Sequence, residues 1–286
     1  MLPYRSFSVH DPKERIIHSA EVCDRVVHQA LVSTIEPLFE KFFIDDSFSC
    51  RLNKGSHAGV DRLNKFIKKV TKNGRTKAYV LKCDIRKFFD SIDHLILLKI
   101  IEKYVQDEKT IWLIKSIILG FEKSSGKGLP LGNVTSQLFG NIYMHVFDHY
   151  VKHNLKIKYY VRYCDDFVLV NTNKRYLEDL IPKMDNFLQK ELLLKIHPNK
   201  ISLRKVSQGI DFLGYVIFPH HKILRTSTKQ RILKKWKSGL NEAQQNSYLG
   251  VLVHAKSFKI RQNRSIYGLQ MTLSVINDGF REKRGA

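Results

Sequence analysis

Hydrophobic and polar positions along the chain follow two different periods, which predicts a mixture of strands and helices. Residues 159–163 and 167–170 are apolar and rich in β-favouring types, and they flank the adjacent acids Asp165 and Asp166. Runs of this kind are typical of short strands. We therefore predict a tight hairpin with the two acids at its turn. Residues 77–85 predict a further strand near the middle of the chain.

Helical spacing of apolar residues predicts several long helices around these strands. The predicted segments are 21–43, 61–70, 94–121, 135–149, 174–195 and 228–240. Pro37 predicts a kink or break in the first of them, because proline cannot donate a backbone hydrogen bond. In the third, Leu95, Leu98, Ile101 and Tyr104 are expected on one face. Residues 47–59 predict a loop and residues 73–74 a turn.

Three acids stand where these strands end or turn. Asp84 closes the predicted strand 77–85, and Asp165 and Asp166 lie at the hairpin turn. Carboxylates held close together repel each other unless a cation neutralises them. Oxygen ligands suit Mg²⁺, and two such ions roughly 3.5–4 Å apart can stabilise a phosphoryl transfer. The alternative is an acidic turn exposed to solvent, without a ligand.

The charge balance of the chain points to a polyanionic partner. The 286 residues include 49 Lys and Arg but 27 Asp and Glu, a net charge of +22. Residues 222–264 alone hold 11 basic residues against the single acid Glu242. Nucleic acid is the commonest polyanion that such proteins bind. The alternatives are a basic protein kept in solution by its charge, or one with an acidic protein partner.

Cysteine usage and hydropathy limit the remaining classes. The four cysteines, at 23, 50, 83 and 164, have no CxxC spacing, which argues against a zinc site and against a disulfide framework. No signal peptide and no apolar run long enough to cross a membrane are visible. We therefore expect no membrane partner and a reducing, cytoplasmic location.

Three motifs, in order along the chain, carry a family resemblance. They are Cys83-Asp84-Ile-Arg-Lys-Phe-Phe89, Gly128-Leu-Pro-Leu-Gly132-Asn-Val-Thr-Ser136-Gln137 and Tyr163-Cys-Asp-Asp166. Together they resemble the catalytic boxes of reverse transcriptases, the last being the YxDD box. The resemblance runs from about Tyr4 to at least Arg225. Leu131 and Gln137 replace a Gln and a Pro of most relatives, as in diversity-generating retroelement enzymes, which residues 19–30 and 49–59 also resemble.

The resemblance implies an α+β right-hand polymerase. Residues 1–76 would form the fingers, and residues 77–216 a palm whose antiparallel sheet carries the YxDD hairpin, with a fingers-side helical insertion around 104–130. Residues 217–286 would form a basic helical thumb. We expect no RNase H or endonuclease domain and no N-terminal extension in this sequence, so that template anchoring would need help from a partner.

The implied reaction is RNA-directed DNA synthesis with two Mg²⁺ ions, for which Mn²⁺ could substitute. Asp84 and Asp165 would hold the ions, Asp166 would assist, and the carbonyl of Ile85 would add a ligand. Lys200 is a candidate proton donor to the leaving pyrophosphate, with a surface lysine as the alternative.

The resemblance also implies a nucleotide pocket. Arg15 would contact the triphosphate, and Phe89 would exclude ribonucleotides sterically. Ile85 and Phe88 are also expected at the nucleotide, and for one of the two phenylalanines the alternative is an ordinary place in the core. Leu131 offers only bulk where a glutamine could bond the substrate, so we expect loosened checking of the base pair. The other expected nucleotide contacts are Arg51, Arg86, Lys87, Gly132 and Gln137. For Arg15 and Arg51 the alternative is an ordinary residue of a solvated strand or loop.

The primer and its duplex would meet three further groups of residues. They are Tyr163 and Cys164 of the YxDD box; Phe212, Leu213 and Gly214 of a primer-gripping box; and the thumb cations Lys229, Arg231, Lys234 and Lys235. Contacts from such cations to phosphates are independent of base sequence.

The family role would be error-prone copying of a template RNA into cDNA for a diversity-generating retroelement. The partners would be template RNA, primer, cDNA, dNTPs and an oligomer of a small basic accessory protein. One alternative is a stand-alone bacterial reverse transcriptase of phage-defence or group II-like type. The other is an RNA-binding scaffold without polymerase activity.

Overall fold

A computed structural model describes residues 2–10 and 14–255 of the chain, in two compact units. The first unit runs to Leu213 and includes Phe218–His220, and the second comprises Gly214–Ile217 and the chain from His221 onward. The part of the predicted thumb beyond residue 255 lies outside the described residues.

The first unit combines antiparallel strands with long helices. Its strands are β1 (Arg5–His10), β2 (Glu14–Ser19), β3 (Tyr79–Asp84), β4 (Tyr160–Tyr163), β5 (Asp166–Asn171), β6 (Ser202–Lys205) and β7 (Ile210–Phe212). Its helices are α1 (Val22–Glu40), α2 (Ser56–Val70), α3 (Phe88–Ser91), α4 (His94–Ile101), α5 (Glu108–Leu119), α6 (Val134–His149) and α7 (Lys174–Leu192). A π-helical turn, Tyr150–Asn154, follows α6.

An antiparallel sheet with strand order β4-β5-β3-β6 forms the centre of this unit. The predicted hairpin is present, with Tyr163 paired to Asp166 across β4 and β5. Leu81 and Phe167 lie in the main core cluster, to which α6 and α7 also contribute buried side chains. Because side chains alternate along a strand, Asp84 and Asp166 point away from that core.

The prediction of one continuous helix over 94–121 is wrong. Two helices, α4 and α5, replace it, and each starts at an aspartate that caps the backbone: Asp93 accepts hydrogen bonds from two amides and Asp107 accepts one from Thr110. Leu95, expected on one face with Leu98, Ile101 and Tyr104, is 75% exposed, whereas Leu98 and Ile101 are buried. Leu95 occupies the second position of α4, whose core contacts come from the neighbouring Leu97 and Leu98.

The helix predicted over 21–43 is found as α1, and it continues through Pro37 without a break. Proline removes one intrahelical hydrogen bond. Burial of Ile35 and Phe39 on either side of Pro37 holds this helix against the core.

The second unit contains β8 (Tyr215–Ile217), β9 (Lys222–Leu224), α8 (Thr226–Lys237) and α9 (Glu242–Val253). Strands β8 and β9 pair antiparallel. The hydroxyl of Tyr215 donates to the carbonyl of Val251, which attaches α9 to β8. No helix in the described part of the chain combines the length and hydropathy needed to cross a bilayer.

A fully buried ion pair joins α6 to β4. The guanidinium of Arg162 donates from Nε to Oδ1 of Asp148 at 2.8 Å and from Nη2 to Oδ2 at 2.7 Å. The hydroxyl of Tyr160 also donates to Asp148, at 2.7 Å. Both charged side chains are almost completely excluded from solvent, with exposures of 1% and 0%. A buried charge is tolerated only with such a complete set of partners.

Removing one partner of this pair tests its role. We expect Asp148→Ala to lower the free energy of unfolding by about 3–5 kcal/mol, because it leaves the Arg162 guanidinium buried without a carboxylate. Urea denaturation followed by circular dichroism measures this loss. Glu102→Ala breaks the exposed pair with Lys115 and is the matched control, for which we expect less than about 1 kcal/mol. Equal losses in the two variants would contradict the assignment.

Candidate active site

The sheet brings the three aspartates together at one end. Asp84 is the last residue of β3 and pairs directly with Asp166, the first residue of β5. Asp165 lies in the adjacent turn, where its carbonyl accepts a hydrogen bond from the Ile85 amide at 3.2 Å. Two parts of the chain that are about 80 residues apart therefore deliver carboxylates to one place, as the sequence predicts.

The turn that carries Asp165 is held by the buried ion pair beneath it. Cys164 has a left-handed backbone with φ of 56°, a conformation that costs a non-glycine residue on the order of 1–3 kcal/mol. Nη1 of Arg162 donates to the Cys164 carbonyl at 3.0 Å and to Oδ1 of Asn141 at 3.2 Å. The position of the catalytic turn is thus fixed from inside the fold.

The carboxylates repel one another, and two lysines neutralise part of their negative charge. Burial, with the charge of Asp84 adding to it, raises the pKa of Asp165 to about 6. Burial also raises the pKa of Asp166, against the opposing effect of Lys82, whose Nζ lies 3.5 Å from Oδ2 of that residue. Nζ of Lys200 lies 2.5 Å from Oδ1 of Asp84. The site therefore has more negative charge than its surroundings stabilise.

These carboxylates fit a divalent cation of the Mg²⁺ class. A cation beside Asp84 and Asp165 would offset both the burial and the charge of Asp84, which together raise the pKa of Asp165. In the described residues, no group of three or more acid, histidine or cysteine side chains is arranged to hold a metal ion by itself. Mg²⁺ does not require one, because it keeps several waters and takes one or two carboxylates together with substrate phosphates.

Two other expected contributors can be judged from burial. Ile85 has a buried side chain, so only its backbone could serve a metal ion. The neighbouring thiols are not candidates: burial raises the pKa of Cys83 to about 12 and also raises the pKa of Cys164. A thiol binds metal ions as the thiolate, so oxygen ligands alone remain.

A cleft of about 500 Å³ opens in front of Asp165 and Asp166, whereas Asp84 is not among its lining residues. It collects predicted site residues from five segments of the chain: Arg15; Lys87, Phe88 and Phe89; Leu131, Gly132 and Gln137; Tyr163, Cys164, Asp165 and Asp166; and Leu213. Residues that sequence reasoning missed also line it, namely Ser49, Cys50, Asp90, Asn133 and Ser136.

Asn133 fastens the β1–β2 hairpin to the wall of the cleft. Its Nδ2 donates to the carbonyl of His18 at 2.8 Å, and its Oδ1 accepts from the amide of Ala20 at 3.3 Å. The amide of His18 donates to the Leu131 carbonyl at 2.8 Å. Gly132, with φ of 111°, lies so close to Ile17 that a Cβ would collide with it. These contacts hold the strand that carries Arg15.

The two phenylalanines expected at the nucleotide differ in burial, although both line the cleft. Phe88 is buried, whereas Phe89 is partly exposed and packs edge-on against it, with ring centroids 5.1 Å apart. Gly140 of α6 faces both rings, and a Cβ there would lie 3.2 Å from Phe88. The small residue gives the two rings space beside α6, and Phe89 stays at the cleft surface.

Two predicted contacts are corrected by the structure. The Arg51 side chain is 4% exposed, and its guanidinium donates to the Glu40 carboxylate and to the carbonyls of Ile44 and Ser47. With its donors used in this way, it stabilises its own loop and does not reach the cleft. Phe212, expected to grip the primer, is fully buried and can only support that segment.

The remaining predicted residues lie around the cleft or in the second unit, and their roles stay predictions. Arg86 is exposed but does not line the cleft, and Lys200 contacts Asp84. Gly214 belongs to the second unit. Of the predicted thumb cations on α8, Lys229, Lys234 and Lys235 are exposed and Arg231 is half-buried.

Lys82 was also missed, although a signal was present. Lys82 and Asp84 are two residues apart on a strand and therefore share a face. That spacing identifies the lysine as a neighbour of the acid cluster.

Removing the Asp165 charge should stabilise the protein in metal-free buffer. A carboxyl whose pKa rises on folding from 3.8 to about 6 lowers stability above pH 6, and has no such effect below pH 3.8. We expect Asp165→Asn to raise the free energy of unfolding by about 1–2 kcal/mol at pH 8, with the gain vanishing near pH 4. Urea denaturation at both pH values measures it.

The same variant reports on cation binding. Millimolar Mg²⁺ should raise the Tm of the parent protein at pH 8 and leave that of Asp165→Asn unchanged, because ligand binding stabilises only the protein that binds it. A stability gain of equal size at pH 4 and pH 8 would rule out charge repulsion as its cause.

Comparisons with known proteins agree with this geometry. The chain is 25% identical over 245 residues to protein YkfC of Escherichia coli (strain K12), a match that covers 72% of this chain and 62% of the relative. It is 24% identical over 286 aligned residues to the group II intron-encoded protein LtrA of Lactococcus lactis subsp. cremoris, with 76% and 46% covered. The chain thus spans about half to three fifths of the length of these relatives.

Solved structures show the same fold. Apo telomerase from Candida tropicalis, truncated from its C-terminal domain, superposes with a TM-score of 0.57 at 15% identity, covering 78% of this chain and 54% of that one. Telomerase from Candida albicans in complex with a fragment of telomeric RNA gives 0.56 at 14% identity, covering 79% and 46%. The predicted polymerase fold class is thereby confirmed.

A family model described as reverse transcriptase (RNA-dependent DNA polymerase) matches residues 10–217, well over half of the chain. This range contains all three aspartates and every residue that lines the cleft. The chain therefore belongs to the reverse transcriptase family.

Proposed function

We propose that this protein is an RNA-directed DNA polymerase that joins deoxynucleotides to a primer 3′-hydroxyl, copies an RNA template and releases pyrophosphate. The observation that carries the proposal is the meeting of Asp84, Asp165 and Asp166 beside a cleft lined by Arg15 and Phe89. Acids in this position can hold Mg²⁺, which would stabilise negative charge as it develops on the reacting phosphate.

The chain's own residues supply binding and orientation. Arg15 projects from β2 into the cleft, where a planar guanidinium can hold two phosphate oxygens of a triphosphate. The partly exposed ring of Phe89 would occupy the space beneath the sugar, so that a 2′-hydroxyl collides with it. Lys200, which contacts Asp84, would supply a proton to the leaving pyrophosphate.

The biological role that we favour is that of a diversity-generating retroelement enzyme. Support comes from Leu131 and Gln137, which both line the cleft in place of the residues of most relatives. In that role the protein would copy a template RNA with frequent errors and work with an oligomer of a small basic accessory protein. The alternative is a group II-like or stand-alone bacterial enzyme, which the similarity to an intron-encoded protein favours.

Primer extension tests the chemistry. On an RNA template with a DNA primer, dNTPs and Mg²⁺, we expect extension by the parent protein and a loss of at least a thousandfold in Asp84→Ala and Asp165→Ala, since each removes a carboxylate of the metal site. Asp179→Ala, an exposed acid of α7, is the control and should retain activity. No extension by well-folded parent protein on any primed RNA would exclude the proposed reaction and leave the scaffold alternative.

Leu131→Gln tests the origin of errors. An amide at this position could hydrogen-bond the substrate and make mispaired geometry less favourable, whereas leucine offers only bulk. We expect the variant to reduce misincorporation opposite template adenines by about fivefold to tenfold, on the order of 1 kcal/mol. Sequencing of cDNA from parent and variant gives the error rates. Leu131→Met is the apolar control, and identical error rates in all three proteins would dismiss this role for Leu131.

A further inference from the structure

A second recess, of about 230 Å³, lies at the opposite end of β3 from Asp84. Its walls come from the turn after α2, from the start of the segment that leads into β3, and from the residues that follow β6. Arg75, Lys77 and Lys205 line it, and no carboxylate is among its lining residues.

The recess is separate from the catalytic cleft. Lys205 pairs with Tyr79, the first residue of β3, whereas Asp84 is the last. Five steps along a strand cover roughly 17 Å. The recess and the cleft share no lining residue. A nucleotide held at the acids therefore cannot also fill the recess.

The cations that line the recess form no ion pairs within the described part of the chain. Residues 62–83 contain eight Lys and Arg and no acid. Arg62 and Lys82, near the two ends of this segment, form ion pairs with aspartates. Among residues 2–10 and 14–255, Arg75, Lys77 and Lys205 have no carboxylate within 4.0 Å. Like charges left together in this way repel, so they indicate an anion that binds from outside.

The shape of the recess is fixed by hydrogen bonds. The hydroxyl of Thr71, a buried side chain, donates to the Ile67 carbonyl at 2.7 Å and accepts from the Gly74 amide at 2.9 Å. The amide of Val206 donates to the Ala78 carbonyl at 3.0 Å. Gly74 has φ of 87° and lies directly against the His220 ring, where a Cβ would not fit. The backbone is therefore preformed, and the long cationic side chains around it can adjust.

A row of lysines extends this charge along α2. Lys65, Lys68 and Lys69 are exposed and recur at three-residue or four-residue spacing, which places them on one side of the helix. The exposed Lys72 follows in the turn after α2 and completes the row. The helical part of the row, from Lys65 to Lys69, spans roughly 6 Å. The helix dipole accounts for lysines in the last turn of α2, but not for Arg75, Lys77 or Lys205, which lie beyond it. A small anion would use the recess alone, whereas a chain of phosphates can use the recess and the row.

We propose that the recess and the lysine row of α2 form a binding site for the phosphate backbone of RNA, outside the catalytic cleft. The choice of RNA over another polyanion rests on the proposed function. Such a site reads charge and spacing but not base identity. It would hold a part of the template RNA that is not being copied.

The test compares two triple variants of the whole chain. The first carries Arg75→Gln, Lys77→Gln and Lys205→Gln in the recess. The control carries Arg175→Gln, Lys183→Gln and Lys190→Gln on α7, which removes the same charges from exposed positions. Fluorescence anisotropy with a labelled RNA hairpin gives Kd over a series of salt concentrations. Incorporation of one nucleotide on a short RNA–DNA hybrid is measured in parallel.

We expect the recess variant to bind the hairpin at least tenfold more weakly at about 0.1 M salt, and the slope of log K against log salt to fall in magnitude by about two. The control should stay within about threefold of the parent. Incorporation on the short hybrid should be unchanged in both variants. If RNA binding weakened equally in the two variants, the effect would come from the net charge of the protein and not from the recess, and the proposal would be overturned.

If the recess variant lost incorporation on the short hybrid to the same extent as RNA binding, the proposal would also be overturned, because the recess would then contribute to the reaction in the cleft. Inorganic phosphate is included as a second ligand: if the recess variant loses phosphate binding but keeps RNA binding, the site takes a free anion and the proposal fails. The binding measurement needs no turnover. A parent protein that binds RNA through the recess but does not extend a primer would contradict the proposed function alone.

Discussion

The turn that carries Asp165 depends on one buried contact, the ion pair between Arg162 and Asp148. The guanidinium uses one edge for Asp148 and the other for the Cys164 carbonyl and for Asn141. The backbone of Arg162 exchanges hydrogen bonds with Asp46 and Phe48, and Asn141 donates to the Ser49 carbonyl. Arg162 thus connects α6 to the YxDD turn through its side chain, and its backbone joins the loop that lines the cleft. Buried ion pairs contribute little to net stability, so its value lies in fixing one arrangement.

Acidic and basic side chains are clustered at opposite ends of β3. Each of the two acids in the sheet, Asp84 and Asp166, has a lysine beside it, although burial still raises the pKa of Asp166. Asp165, in the turn, has no such lysine close by in the described residues, and its pKa is raised further. The acid cluster is therefore prepared for a cation, since a bound ion would remove the remaining repulsion. At the far end of β3 the situation is reversed, with cations that lack acids.

Local patterns were sufficient for the sheet and the acids, because alternation and turn residues act over a few positions. They were insufficient where a contact joins distant segments. Arg51 resembles a phosphate ligand in sequence, yet Glu40, on the preceding helix, occupies its guanidinium. Asn133 looks like an ordinary cap, yet it bonds to residues more than 100 positions away. The division between α4 and α5 depends on the cap at Asp107, which the apolar period alone does not reveal.

Leu131 and Gly132 are neighbours in the cleft wall that differ in the side chains they tolerate. Leu131 accepts the His18 amide with its carbonyl and so helps to hold the β1–β2 hairpin, which any residue could do. Its side chain lies in the cleft wall and takes no part in that hydrogen bond. Gly132 differs, because its backbone angle and its contact with Ile17 exclude a side chain. The side chain at position 131 can therefore vary without disturbing this hydrogen bond, next to a position that the architecture keeps as glycine.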